Sequence, residues 1–336
     1  MAASASPRSP GHAANLSLFS GPRPARYPRD VPQITRLVEL CFADVLDYTS
    51  RRMLQDVRDI AEMGGLAWRL ARLVGGVRPE EWLLGSVWEE NGRIAGNATL
   101  TCRAPEPGAW LLSNVAVHPD FRRRGIAHSL VRHALAAVRG RGGRNLYLQV
   151  DAANETATRL YRELGFVEIG RRTAWTRARE ERKPPAPDSS VRVSVRKPSD
   201  WKDEFALWKE VSPAGTAWNT PLVKGAFRPS LARAFEYFLT GERELHVLAR
   251  RDGRVVAALS AYSHLSGWEG ALVQRRGTGG AVERELLDAA WRVFPPDRSI
   301  LLETTPEAPD DSLIQLGFQK RRIFIWMRYT FNGGGS

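Results

Sequence analysis

Val115-Ala116-Val117-His118-Pro119-Asp120-Phe121-Arg122-Arg123-Arg124-Gly125-Ile126-Ala127 reads as a strand running into a basic, glycine-containing loop and then a helix. His118-Pro119-Asp120 is a turn signal. Ile126, Ala127, Leu130, Val131, Ala134, Leu135 and Val138 then repeat at helical spacing, and Arg139-Gly140 closes the repeat. Such a loop suits a pyrophosphate. Backbone N–H groups of Arg123 through Ala127 would converge at the positive end of the helix dipole. Gly125 permits close backbone approach, and Arg122, Arg123 and Arg124 add charge. The short pattern Arg/Gln-x-x-Gly-x-Gly/Ala arises by chance in an arginine-rich chain, so its context must carry the reading.

Upstream, Ala25-Arg26-Tyr27 reads as extended, and helical spacing follows at Ile34, Leu37, Val38, Leu40 and Cys41 and again from Arg51 through Val74. Trp82 to Glu89 and Arg93 to Arg103 alternate as strands about a Glu-Asn-Gly hairpin turn, and Trp110 to Val117 is a third apolar run. Downstream, Leu146 to Val150 is a strand, Glu155 to Leu164 a helix and Phe166 to Thr176 strand-like. The order is strand, two helices, three strands, helix, strand, helix, strand.

A second element stands in that context. Asn154-Glu155-Thr156-Ala157-Thr158-Arg159-Leu160-Tyr161-Arg162-Glu163-Leu164-Gly165-Phe166 has the form N-x-x-A-x-x-L-Y-x-x-L-G-F. With both motifs in this order, residues 25 to 176 resemble the GNAT superfamily of acyl-coenzyme A dependent N-acyltransferases. Their phrasing is nearest to bacterial ribosomal-protein alanine N-acetyltransferases. The resemblance implies acetyl-CoA (coenzyme A) as donor, with pantetheine paired to the strand at Val115, Ala116 and Val117. It implies a pyrophosphate on Arg122, Arg123, Arg124, Gly125, Ile126 and Ala127, and Asn154 near the pantetheine. The Val115 or Ala116 amide would polarise the thioester carbonyl. Tyr161 matches the family's general acid; a phenol near pKa 10 stays protonated at neutral pH and can give its proton to the leaving thiolate.

The general base departs from the family's pattern. Where the related N-terminal acetyltransferases carry a Glu on the fifth strand, this chain has Gln149, which accepts no proton. Asp151, Glu89, His118 or a water relay remain open as substitutes, and proximity alone is a further option. An α-amine near pKa 8 needs far less help than a lysine near 10.4. The same substitution keeps a non-catalytic acyl-CoA-binding or regulatory protein as the alternative reading.

The second half repeats the element order more loosely. Val191 to Arg196 is extended, a helix runs from Pro198 to Val211, and Glu244 to Arg250 and Arg254 to Ser263 flank Asp252-Gly253. Trp268 to Val273, a helix over Gly280 to Val293, Ser299 to Glu303, a short helix ending at Leu316 and a strand from Phe318 to Thr330 follow. Gln274-Arg275-Arg276-Gly277-Thr278-Gly279 fits the loop pattern, but the preceding turn is missing. Aligning Leu316-Gly317-Phe318 on Leu164-Gly165-Phe166 puts Leu313 at the Tyr161 position and Pro306 at the Asn154 position. The expectation is an α/β (α+β) tandem GNAT fold, each half a mixed, mostly antiparallel sheet flanked by helices. Its parts are a disordered tail (1–24), an active domain (25–178), a linker (179–190), a degenerate second domain (191–331) and a flexible tail (332–336).

Composition narrows the partners. A net charge of +12 comes from 43 arginines and six lysines spread over both halves of the 336 residues, with no RNP1-like aromatic module, so nucleic acid is not the expected partner. The most apolar helical stretch, Leu66 to Val74, is broken by Arg69 and Arg72, so no membrane span is expected. The two cysteines, Cys41 and Cys102, belong to no CxxC motif and lie far in sequence from both motifs, and the six histidines show no ligand spacing. The expectation is a cytoplasmic enzyme without metal or cysteine-linked intermediate. It would act on an amine, on a small molecule or a protein N-terminus, as a monomer or homodimer.

Overall fold

The computed structural model describes residues 19–44, 46, 48–64, 84–102, 108–177, 192–211, 227–230, 243–264, 267–291, 299–305 and 310–331. The first half runs β1 (Ser20–Pro24), α1 (Val31–Cys41), α2 (Tyr48–Glu62), β2 (Leu84–Glu90), β3 (Arg93–Thr101), β4 (Ala109–Val117), α3 (Ile126–Arg139), β5 (Asn145–Asp151), α4 (Glu155–Glu163) and β6 (Val167–Arg177). The second runs β7 (Arg192–Val195), α5 (Trp201–Val211), β8 (Glu244–Arg251), β9 (Arg254–His264), β10 (Gly267–Gln274), α6 (Gly280–Trp291), β11 (Ser299–Thr304), α7 (Asp310–Gln315) and β12 (Gln319–Thr330). The helical reading of Leu66 to Val74, the linker over 179–190 and the tail over 332–336 lie outside the described residues.

One expectation is corrected at the start of the chain. Ser20–Pro24, placed in the disordered tail, is a strand pairing antiparallel with Ser86 to Glu90, and the extended piece ends before Ala25. Prolines 22 and 24 masked it in the sequence. They are tolerated because β1 is an edge strand, where a missing N–H costs no ladder bond.

The twelve strands form one sheet in the order β1-β2-β3-β4-β5-β12-β6-β11-β10-β9-β8-β7. The two halves therefore do not keep separate sheets: each gives its last strand to the other. β12 inserts between β5 and β6, and β6 reaches β11 of the second half. The cores are shared accordingly. Ile325 and Met327 of β12 pack with Leu130, Val131, Ala134 and Leu148 of the first half, whereas Trp175 of β6 packs with Leu259, Leu286 and Leu302 of the second. A fully buried aliphatic side chain is worth about 1.5–3 kcal/mol relative to exposure, so the exchange ties the stability of each half to the other. Trp175 Nε1 also donates to Thr304 Oγ1 at 3.0 Å.

Local signals explain the elements. Asn91 and Gly92 take φ 51° and 83° in the β2–β3 hairpin, and Asp252 and Gly253 take 52° and 78° in the β8–β9 hairpin. Those positive pairs suit a two-residue turn whose twist matches its strands. In α3, Ile126, Leu130, Val131, Ala134 and Val138 are buried on one stripe. Among the described residues no helix is long and apolar enough to cross a membrane.

Candidate active site

The site begins with a bulge. In the β3–β4 ladder Asn97 faces Ala116 and Thr99 faces Ser113, so Asn114 and Val115 together oppose Ala98. Asn114 has φ 50°. The fully buried Asn97 secures this kink, donating from Nδ2 to the Asn114 carbonyl (2.9 Å) and to Thr99 Oγ1 (3.1 Å). Beyond it β4 leaves β5: the two pair in parallel only from Ala109–Leu112 to Asn145–Leu148. A bulged strand bends, and here the bend opens a wedge in the sheet.

A cavity of about 660 Å³ occupies that wedge. Ser113, Asn114 and Val115 line it from β4; Gln149, Val150 and Asp151 from β5; Asn154, Ala157 and Tyr161 from the start and body of α4; and Arg322, Phe324 and Trp326 from β12. Cys41 and Phe42, at the end of α1, complete the wall. Three of the residues singled out in the sequence, Val115, Asn154 and Tyr161, therefore meet around one cavity. Ala116 is not among its lining residues and packs with Ile34, Leu37 and Val38 instead. Val117 is also absent from the lining; its carbonyl receives Cys41 Sγ at 3.4 Å and Arg122 Nε at 3.3 Å.

The basic loop follows directly. Pro119–Phe121 forms a single 3-10 turn, Arg122 through Gly125 are exposed, and Gly125 sits at the N-cap of α3 with φ 73°. Among the described residues, none of the amides from Arg123 to His128 donates to a main-chain carbonyl; the first to do so is Ser129, to Gly125. An α-helix leaves its first N–H groups without intrahelical acceptors, and with the helix dipole they attract anions. Arg124 stacks 5.0 Å from the Phe121 ring centroid and donates to the Asp120 carbonyl at 3.3 Å, which holds its charge on the loop.

Tyr161 is only 6% exposed, edge-on to Phe166 at 5.8 Å, and burial pushes its pKa above the ordinary tyrosine range. It remains a neutral phenol. Asn154 caps α4, its Oδ1 accepting from the Ala157 amide at 3.0 Å; the cap leaves Nδ2 unused.

The open choice of base narrows geometrically. Glu89 forms an ion pair with Arg23, and His118 places Nε2 at 2.8 Å from Arg93 Nη2; neither lines the cavity. His118 Nδ1 accepts from the Asp120 amide at 3.3 Å and so caps the 3-10 turn. His118 is a turn residue. Asp151 alone of the three stands in the cleft, beside Gln149.

Sequence reasoning missed Cys41, Phe42, Arg322, Phe324 and Trp326. Cys41, remote in sequence from both motifs, reaches the cleft because α1 packs over the end of β4. The β12 residues arrive through the strand exchange.

The second half lacks the wedge. β9 and β10 pair without a register shift, and β10 pairs with β11 over six residues, Gly267–Leu272 against Ser299–Thr304. Its loop is internally bonded: Thr278 Oγ1 donates to the Arg275 carbonyl at 2.6 Å and Arg251 to the Thr278 carbonyl at 3.1 Å. Leu313, at the Tyr161 position, is fully buried. Pro306 lies outside the described residues. Among the described residues no group of three or more His, Cys, Asp or Glu side chains could hold a metal ion.

Residues 51–166 match the sequence model of the Acetyltransferase (GNAT) family. The ribosomal protein bS18 alanine N-acetyltransferase of Escherichia coli (strain K12) is 37% identical over 79 residues, 24% of this chain and 51% of that protein. The chain thus spans about half or less of the length of the curated relatives it matches. A GCN5-related N-acetyltransferase from Sphaerobacter thermophilus superposes with TM-score 0.58 at 17% identity, over 92% of this chain and 95% of that one. A tandem GNAT protein from the clavulanic acid biosynthesis pathway gives 0.53 at 17%, over 94% and 99%. At these identities the likeness establishes the fold.

Proposed function

We propose that this protein, whose residues 51–166 match the sequence model of the Acetyltransferase (GNAT) family, transfers an acetyl group from acetyl-CoA to a primary amine, by direct attack with both substrates bound. The observation that carries the reading is the wedge beyond Leu112 with the unpaired amides of α3 beside it. The free edge of β4 offers main-chain groups to an extended pantetheine, and the Arg123–His128 amides with the exposed arginines suit its pyrophosphate. These residues fit the coenzyme, which supplies an activated acetyl thioester.

The chain's own groups do the rest. Val115, which lines the cavity, or the adjacent Ala116 presents the main-chain amide that polarises the acyl oxygen. Tyr161 protonates the departing thiolate from the α4 side. Gln149 cannot take a proton from the amine, so the acceptor reacts with little basic help, which favours an α-amine or another weakly basic amine. A protein N-terminus and a small-molecule amine both meet that condition. Cys41 and Cys102 form no disulfide, which fits a reducing, cytoplasmic setting.

Gln149 also favours a second reading, a protein that binds acyl-CoA without turnover. Release of coenzyme A from acetyl-CoA across a panel of α-amino, aliphatic and peptide amines separates the two. An enzyme releases it with at least one amine, and a sensor binds acetyl-CoA and releases none.

A further inference from the structure

The cavity has two faces of different chemistry. Val150 and Ile325, paired across β5 and β12, join the core under α3 and α4 together with Tyr161. Strand alternation therefore puts Gln149 and Asp151, with their partners Trp326 and Phe324, on the opposite face, away from Tyr161. Arg322 follows one pleat beyond Phe324. Among the described lining residues Asp151 is the one carboxylate and Arg322 the one cation.

This pair is loose and open. Arg322 Nη1 stands 3.8 Å from Asp151 Oδ2, with the side chains 32% and 30% exposed. Asp151 Oδ1 accepts from the Ala153 amide at 2.9 Å, and the other Arg322 branch reaches the Asp44 carbonyl at 3.4 Å. The second half offers an internal comparison. The Gln149–Trp326 pairing recurs there as Glu303–Ala174, and Arg172 stands 3.8 Å from Glu303 but is only 2% exposed. Where the sheet is zipped shut the arginine is buried and its partner only 16% exposed; where it is open both charges face the cavity.

We infer that Asp151 is the specificity-determining residue for the acceptor, holding the ammonium of a cationic primary amine. Arg322, delivered by the second half, is the counter-ion that this ammonium displaces. The inference rests on the acetyl-transfer reading of the cleft. It narrows the acceptor to amines that arrive protonated and release that proton to solvent before the free amine attacks, excluding arylamines and hydroxyl acceptors, and gives the second half a part in acceptor affinity.

Full-length protein loaded with coenzyme A, titrated calorimetrically at pH 7 with L-alaninamide and n-butylammonium and with their neutral counterparts L-lactamide and n-pentanol, tests it. The cations bind and the neutral compounds do not. Asp151→Asn weakens the cations about tenfold, as expected for loss of a charge-assisted hydrogen bond. Arg322→Gln strengthens them about two- to fivefold, the usual scale of an exposed ion pair. Opposite signs are the signature, because a merely structural pair moves both variants the same way. Equal binding of cations and neutral compounds, or no gain on Arg322→Gln, overturns the assignment even where Asp151→Asn fails to fold. Failure at the loading step instead overturns the acetyl-CoA reading, and is recorded before any amine is added.

Discussion

Asn97, with no solvent exposure, donates its side-chain amide to the main-chain carbonyl of Asn114 at 2.9 Å, and so holds the bulge that turns β4 away from β5. Asn97→Leu leaves that carbonyl of the exposed Asn114 without its partner, a cost of about 0.5–1.5 kcal/mol. It also removes the restraint on β4. Urea denaturation should show a lower midpoint, and acetyl-CoA affinity should fall at least tenfold in the fraction that remains folded. Lost stability with unchanged affinity would dissociate the bulge from the cleft.

Gly125 separates backbone conformation from charge. A Cβ added there meets nothing within 4 Å, but φ is 73°. Gly125→Ala should therefore cost about 1–2 kcal/mol through the left-handed conformation alone. Gly125→Asp carries a similar strain, partly offset at the positive end of α3 by up to about 1 kcal/mol, yet places an anion where the pyrophosphate belongs. Thermal melts of the two should be close, whereas acetyl-CoA binding should survive in the first and be lost in the second.

Tyr161→Phe should retain acetyl-CoA within about twofold and lose about 10²–10⁴ in turnover, the range of positioned acid–base groups. Because burial raises the Tyr161 pKa above 10, its acid form persists past the usual tyrosine range. The rate should show no decline centred near pH 10. A decline there that vanishes in Tyr161→Phe would contradict the raised pKa, and unchanged turnover in Tyr161→Phe would contradict the acid assignment.

The second half carries a pH signature of its own. The fully buried Glu204 accepts from His246 Nδ1 at 2.6 Å, from Ser260 at 2.8 Å and from Arg196 at 2.7 Å, and Glu244 meets His246 Nε2 at 2.6 Å. Burial opposes both charges, but the hydrogen bonds win: His246 titrates above its ordinary 6.5 and Glu204 below its ordinary 4.5. The His246 contribution is complete below 6.5 and is lost as pH rises through its raised folded value. The Glu204 contribution is complete above 4.5 and is lost as pH falls through its lowered one. Melting temperature should thus be highest between about pH 4.5 and 6.5 as far as this pair decides it. The alkaline decline should flatten in His246→Gln. Glu204→Gln, which strands Arg196 and His246, should cost about 3–5 kcal/mol.

Short-range signals made much of this readable in sequence. The turn pairs Asn91-Gly92 and Asp252-Gly253, the α3 stripe and the basic loop over residues 122–125 each act within a few residues, so periodicity and turn chemistry suffice. Strand exchange is different in kind. The alternation in Gln319–Thr330 says that the segment is a strand but not which strand it joins, so Arg322, Phe324 and Trp326 could not be assigned to the cleft. The bulge had one available signal, the polar Asn114 within the apolar run from Trp110 to Val117. Its partner Asn97 lies on a separate strand and is fixed only by the register.

The central claim is that the wedge between β4 and β5, and not its zipped counterpart between β10 and β11, holds the coenzyme. Calorimetric titration of the purified chain with acetyl-CoA tests it most directly. The account predicts one site per chain, abolished by Gly125→Asp; two sites, or none, would contradict it.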